Sequence, residues 1–317
     1  MSAILATVRA ETFKLLRKRR IYVLAFLYWV LLPAVALLVG RLLYTNLREF
    51  EREGLPVADL LQSLFSAHGL ATVALTGPAY MSPTAYIVGV VLLAALFIGE
   101  ERGQNMWKTV LVIQPYRPAV MTGKLVVTMG ALLALMLGAF LSAIVFGTIG
   151  TSFLPTDLSG DWLGLLGLYL WQWAHLLAAV LLAFLLVFLV RSAVLGIVMV
   201  LLLPGLIEGL YTVLNTLFNL QPLTRFNAIF QALRLQRLWE AAPRYFFTTN
   251  LYAPGRAPAR DIASDMLQSS VQPQDLGPLQ SLLGTTITLG HAAAVMAGYA
   301  LVFGVLLYWL FGRRDVD

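Results

Sequence analysis

Few residues in this sequence have the types and spacing that chemistry requires. Residues 122 to 125 read TGKL, which ends like a phosphate-binding loop. Such a loop needs an upstream glycine and a hydroxyl after the lysine, and neither flanks Lys124, so ATP is not bound by that route. The zinc-protease pattern HExxH and the nucleophile elbow GxSxG are both missing. The three histidines, His68, His175 and His291, fall on different segments. Inside a membrane a histidine serves either as a proton relay or as a hydrogen-bonded packing residue, and both readings stay open for His175 and His291. There is no cysteine, which removes disulfides, thiolate metal sites and cysteine nucleophiles. Glu208 is the one acid well inside a long apolar run, where an unpaired carboxylate costs roughly 2.5 to 3.5 kcal/mol. It reads as a carboxylate lining a pathway, or as one near the outer interface paired with an arginine of the following loop.

The elements that must position these residues are membrane helices. Of 317 residues, 59% are hydrophobic and 12% charged, against about 25% charged in soluble domains; mean hydropathy is +0.80. The fold class is an all-α integral membrane protein, with six spans at about 21–43, 83–99, 125–150, 162–190, 192–217 and 282–311. The apolar stretch ahead of the second span, from Leu60 to Met81, reads as an interfacial or re-entrant piece. Residues 1–20 form a cytoplasmic amphipathic helix, 21–317 a single transmembrane domain, and about 218–281 an extracytoplasmic loop. The first apolar run is too long for a signal core, so it is read as a span. With the N-terminus inside, thirteen of the 22 Lys and Arg residues, including all four lysines, fall on the short inside segments, which puts both termini in the cytoplasm. The net charge of +6 is then topology, and nucleic acid is not an expected partner. Trp29, Trp171, Trp173 and Trp309 read as interfacial anchors. Pro204 and the Gly205–Gly209 pair loosen the fifth span and permit close packing there.

Two polar pieces stand out. Residues 2 to 20 place Ile4, Leu5, Val8, Thr12, Leu15 and Leu16 on one helical face for the lipid boundary, with basic residues toward headgroups. Residues 99 to 124, GEERGQNMWKTVLVIQPYRPAVMTGK, lie between the second and third spans. Asn105 can cap a short helix with Met106, Trp107, Val110 and Leu111 at helical spacing, which Pro115 stops. Pro118 permits a fresh helix start, and Lys124 flanks the third span at the membrane surface. This stretch is either a crosswise docking helix or a surface loop with Trp107 in the headgroups.

The N-terminal AETFKLLRKRR, followed by Glu100 and Glu101, Trp107-Lys108, Pro115-Tyr116-Arg117 and Gly123-Lys124, resembles the membrane subunit of ABC-2 type transporters, in particular the bacitracin- and lantibiotic-export branch. The resemblance implies a six-helix, type V exporter-like permease that forms a homodimer or pairs with a sister permease. It also implies separate ABC ATPase subunits that hold ATP and Mg, so this chain is not itself an enzyme and binds no cofactor. The ATPase would be met by a coupling helix built from Glu100, Glu101, Arg102, Gln104, Asn105, Met106, Trp107, Lys108, Val110, Leu111, Pro115 and Arg117. The interfacial helix, with Glu11, Lys14 and Arg17, would also contact it. The expected setting is the bacterial plasma membrane and the expected cargo hydrophobic or amphiphilic. The rival reading is a non-transporting membrane partner that recruits an ATPase for lipid or toxin extraction, or for sensing.

Overall fold

The computed structural model describes residues 3–51, 57–76, 85–99, 112, 116–190, 192–218, 236–256 and 287–313, and among these every regular element is a helix. Helix α1 is Ala3–Arg17, and extended Lys18 separates it from α2, Arg19–Phe26. A π-helical turn, Leu27–Leu31, leads into α3, Leu32–Glu51. Next come α4, Val57–Phe65, α5, Ala67–Thr76, and α6, Ala85–Ala94, prolonged by a second π turn, Ala95–Gly99. The long helices are α7, Arg117–Gly150, α8, Trp162–Val190, and α9, Ala193–Phe218. Short α10, Gln236–Ala241, a 3-10 turn, Ala242–Tyr245, and α11, Phe247–Leu251, precede α12, Leu289–Arg313.

Among the described residues five helices are long and apolar enough to cross a membrane: Arg19–Asn46, Arg117–Gly150, Trp162–Val190, Val194–Leu217 and Leu289–Arg313. The second expected span is helical over Ala85–Gly99, about 22 Å of rise, short of a roughly 30 Å hydrocarbon core. What continues it at either end lies outside the described residues. Helix α8 has the expected bounds. Helix α7 starts at Arg117 instead of Leu125, because Pro118 occupies the first turn, where a missing N–H costs no bond, and Ala119, Val120 and Met121 are buried by packing.

Helix α8 is the hub. Ala178 through Phe188 are all buried, as expected for a helix apolar on every side, and α12, α9, α6 and α7 pack around it. Helix α7 collects the remaining pieces. With little hydrophobic drive between helices in lipid, association depends on close approach and hydrogen bonds. Three glycines along α7 supply the approach: a Cβ would stand 2.5 Å from Thr7 Cγ2 at Gly123, 2.2 Å from Trp29 Cε2 at Gly138 and 2.2 Å from Ala67 Cα at Gly147.

Trp29 is therefore a peg in α7 and no interfacial anchor. Its Nε1 donates to Leu135 O at 3.0 Å, and Ser142 Oγ donates to Trp29 O within the π turn. Trp173 likewise donates to Met129 O at 2.9 Å. The Gly205–Gly209 pair meets no neighbour within the described chain.

The stretch expected to be interfacial or re-entrant before the second span is a buried hairpin of α4 and α5. Leu61, Ala67 and Ala71 are fully buried, and Tyr169 of α8 donates to Ala71 O at 2.8 Å. The loop after α7 clasps this hairpin. Asp157 N donates to Gln62 Oε1 at 2.9 Å, and the Asp157 carboxylate accepts from Gln62 Nε2 and from Ser159 N at 3.0 Å and Ser159 Oγ at 2.5 Å. These bonds, that of the Ser159 hydroxyl first, hold the Asp157 carboxyl below its ordinary value.

Candidate functional site

At one end of the bundle, α1, the start of α7 and the close of α12 are fastened together. Lys124 of α7 is fully buried and Glu11 of α1 is 3% exposed; Lys124 Nζ and Glu11 Oε1 form an ion pair at 3.0 Å. Lys14 Nζ reaches the same oxygen at 3.2 Å. Lys124, expected to flank the third span at the membrane surface, lies within α7 and is taken up in the α1 contact. The buried side of α1 carries Thr7, Val8, Glu11 and Leu15. Of the apolar face expected in the lipid boundary, Ile4, Leu5 and Leu16 do point outward, with Phe13, while Val8 and Leu15 turn inward. The physical reason is that the Glu11–Lys124 pair and the Thr7–Gly123 approach set the helix rotation ahead of apolarity. Arg17 Cζ lies 4.1 Å from the centre of the Phe13 ring on that outer side.

Arg117, expected among the ATPase-facing residues, turns to α12. Its Nη1 donates to Phe311 O and Gly312 O, both at 3.2 Å, satisfying carbonyls that a helix end leaves open. One turn further, the Thr122 and Tyr308 hydroxyls bond at 2.7 Å. Phe188 at the end of α8 meets Phe311 edge to face at 5.7 Å. The other coupling residues, Glu100, Glu101, Arg102, Gln104, Asn105, Met106, Trp107, Lys108, Val110, Leu111 and Pro115, lie outside the described residues.

At the opposite end, residues 236–256 form a wedge among α8, α9 and α12. Backbone inside a membrane must have its polar groups satisfied by protein, and here span side chains do this one by one. Tyr211 of α9 donates to Trp239 O at 2.8 Å, and Asn215 Oδ1 accepts from Trp239 Nε1 at 2.9 Å. On α12, His291 Nε2 donates to Arg244 O and Tyr299 OH to Tyr245 O, each at 3.0 Å. On α8, Gln172 Nε2 donates to Leu251 O at 3.0 Å. Glu208 of α9 supplies the acceptor, taking Thr248 N at 2.7 Å and the Thr248 hydroxyl.

Gln172, Glu208 and Tyr299 each stand ten residues inside the wedge-side end of their helix, at Trp162, Phe218 and Leu289, about 15 Å in at 1.5 Å per residue. Apolar packing completes the seat: Leu251 is fully buried, and Phe247 meets Tyr299 at 5.2 Å and Phe303 at 6.1 Å.

Two of the polar span residues whose roles the sequence left open are hereby placed. Glu208 bonds the following loop, through a threonine and not an arginine, and His291 is a packing donor. His175 donates from Nδ1 to Trp171 O at 2.7 Å, and its buried Nε2 has no hydrogen-bond partner among the described residues. Sequence reasoning did not single out Gln172, Tyr211, Asn215, Thr248 or Tyr299. Their only signal was polarity at helical spacing, as in Glu208, Tyr211 and Asn215. No group of three or more metal-ligating side chains occurs among the described residues.

The bundle is thus fastened at one end through α1, α7 and α12 and wedged at the other among α8, α9 and α12. The family model for ABC-2 family transporter proteins matches residues 7–204. The chain belongs to the ABC-2 transporter family, and its place is that of a permease in an ABC transport system. No curated protein and no solved structure matches it. The wedge and α12 lie beyond the matched residues.

Proposed function

We propose that this chain couples ATP hydrolysis by a separate ABC ATPase, which holds ATP and Mg, to export of a hydrophobic or amphiphilic substrate across a bacterial plasma membrane. The observation that carries this reading is the fastening at the start of α7. The stretch 100–116 leads directly into a helix start bonded to α1 through Lys124 and Gly123, and to α12 through Arg117 and Thr122. A push on that stretch is therefore delivered to three helices at once.

In this reading both termini face the cytoplasm, residues 104–115 form the coupling helix, and the permease works as a homodimer or with a sister chain. Met106 and Trp107 supply the apolar anchor, and Glu100, Glu101, Arg102 and Lys108 set orientation from the rim. Glu11 and Lys14 act inside the permease by holding α1, which leaves the outer side of α1, with Phe13 and Arg17, for the lipid boundary and the ATPase. The affinity to the bacitracin- and lantibiotic-export branch is part of the same proposal.

The test is Trp107→Ala and Met106→Asp in the complex copurified from native membranes. Both variants are expected to insert normally and to lose at least tenfold of the permease-dependent ATPase stimulation. Stimulation equal to wild type in both would refute the assignment.

A further inference from the structure

The two sequence pieces that mark this chain most sharply, AETFKLLRKRR at the start and MTGK before the third span, meet in space at one contact. Glu11 and Lys124 are separated by 113 positions yet pair at 3.0 Å with almost no exposure on either side. Beside them Gly123 brings the backbones together: a Cβ there would lie 2.5 Å from Thr7 Cγ2 and 3.4 Å from Val8 N. A buried ion pair adds little net stability compared with an apolar pair of the same size, because both charges are stripped of water. What it adds is position. An apolar contact between two helices tolerates sliding or rotation by a fraction of a turn, whereas a carboxylate held by a buried ammonium does not, since any slip leaves a charge unpaired in a medium that cannot solvate it. Lys14 grips the same Glu11 oxygen from the half-exposed side at 3.2 Å, so the carboxylate is held from both helices.

We propose that the Glu11–Lys124 ion pair, seated where Gly123 lets α1 touch α7, is the positioning joint that makes α1 and the third span move as one rigid body in the ATP-driven cycle. Glu11 and Lys124 act through α7 and touch neither nucleotide nor cargo. The inference rests on the coupling reading above, and it assigns α1 a mechanical role: a lever welded to the span that follows the docking stretch.

The chain has no cysteine, so two reporters can be placed without background. Spin labels at Leu16→Cys on α1 and Val126→Cys on α7, both on exposed positions, read the distance between the helices by pulsed electron paramagnetic resonance in liposomes. The native background is expected to give one narrow distance, Glu11→Gln and Lys124→Gln broad distributions, and the exchange Glu11→Lys with Lys124→Glu a narrow one again. In the complex with its copurified ATPase, coupled ATP turnover is expected to fall at least tenfold in each single variant and to return within threefold in the exchanged pair. Mere loss of packing would not be rescued by exchanging the charges.

A narrow distance in Glu11→Gln and Lys124→Gln overturns the joint, whatever the ATPase does. Broadened distances with turnover within twofold of native overturn its part in coupling. A native chain that stimulates no ATPase, while its distance stays narrow and responds to the variants as described, overturns the transport reading and leaves the rigid α1–α7 body standing.

Discussion

Removing the Glu208 carboxylate should let the wedge at residues 236–256 leave its seat, and the size of the effect follows from the bonds lost. Glu208 accepts two hydrogen bonds from Thr248, one from N at 2.7 Å and one from the hydroxyl. Bonds to a charged group contribute about 1.5 to 3 kcal/mol each. The site is half-buried, where water can replace part of what is lost, so the lower figure applies. Glu208→Leu then favours the released wedge by about 3 kcal/mol, roughly a 150-fold rise in its population, and Thr248→Val, which removes the hydroxyl alone, by about 1.5 kcal/mol or roughly tenfold. Ala253, 8% exposed, is a small buried reporter in the wedge. Its replacement by cysteine in a chain that has none gives a single thiol whose labelling by a membrane-impermeant maleimide measures release. The expected order of labelling rates is native, Thr248→Val, Glu208→Leu, spaced by about a factor of ten per step. Rates within threefold of native in both variants would show that the seat is held by apolar packing alone.

Two further outcomes are expected. Gly138→Ala places a methyl 2.2 Å from the Trp29 ring and should destabilise the detergent-solubilised protein by about 1 to 3 kcal/mol. Adding Trp29→Leu should recover most of that loss, so strictly additive melting shifts would refute the peg. The Asp157 clasp has a pH signature with a definite sign. Its folded carboxyl lies below the ordinary 3.8, so its contribution is fully present above 3.8 and is lost as pH falls through the lower folded value. The melting difference between native and Asp157→Asn should be constant from neutral pH down to about 3.8, shrink below it and vanish under the lower folded value. A difference that widens toward acid would contradict the clasp.

The spans were readable because charge brackets them. Helix α8 could be bounded to the residue since Asp161 and Arg191 flank an uncharged run. Helix α7 starts beside Pro118, where the sequence permits it, but the role of Lys124 was hidden: it looks like a charge that flanks a span, and nothing local reveals that its partner waits at Glu11. The rotation of α1 was hidden in the same way, because helical periodicity weighs apolar residues and cannot weigh a single buried ion pair formed across the fold. The wedge was the least legible part. Its sequence near Trp239 and Phe247 falls in the stretch read only as an extracytoplasmic loop. Its seat depends on polar side chains of three helices that are far apart in the chain. Glu208 was recognised as anomalous, but the residue that explains it, Thr248, is ordinary in every local respect.

The wedge also imposes an order of events during synthesis. Its carbonyls at Arg244 and Tyr245 accept from His291 and Tyr299 of α12, a helix made after the wedge. Until α12 is in place, the Tyr245 carbonyl lacks its Tyr299 donor and Arg244 O keeps only the bond from Asn250 Nδ2 within the wedge, at 2.8 Å. Residues 236–256 therefore complete their seat only once α12 has arrived. A ribosome stalled before His291 would hold a chain whose wedge has not yet taken its seat.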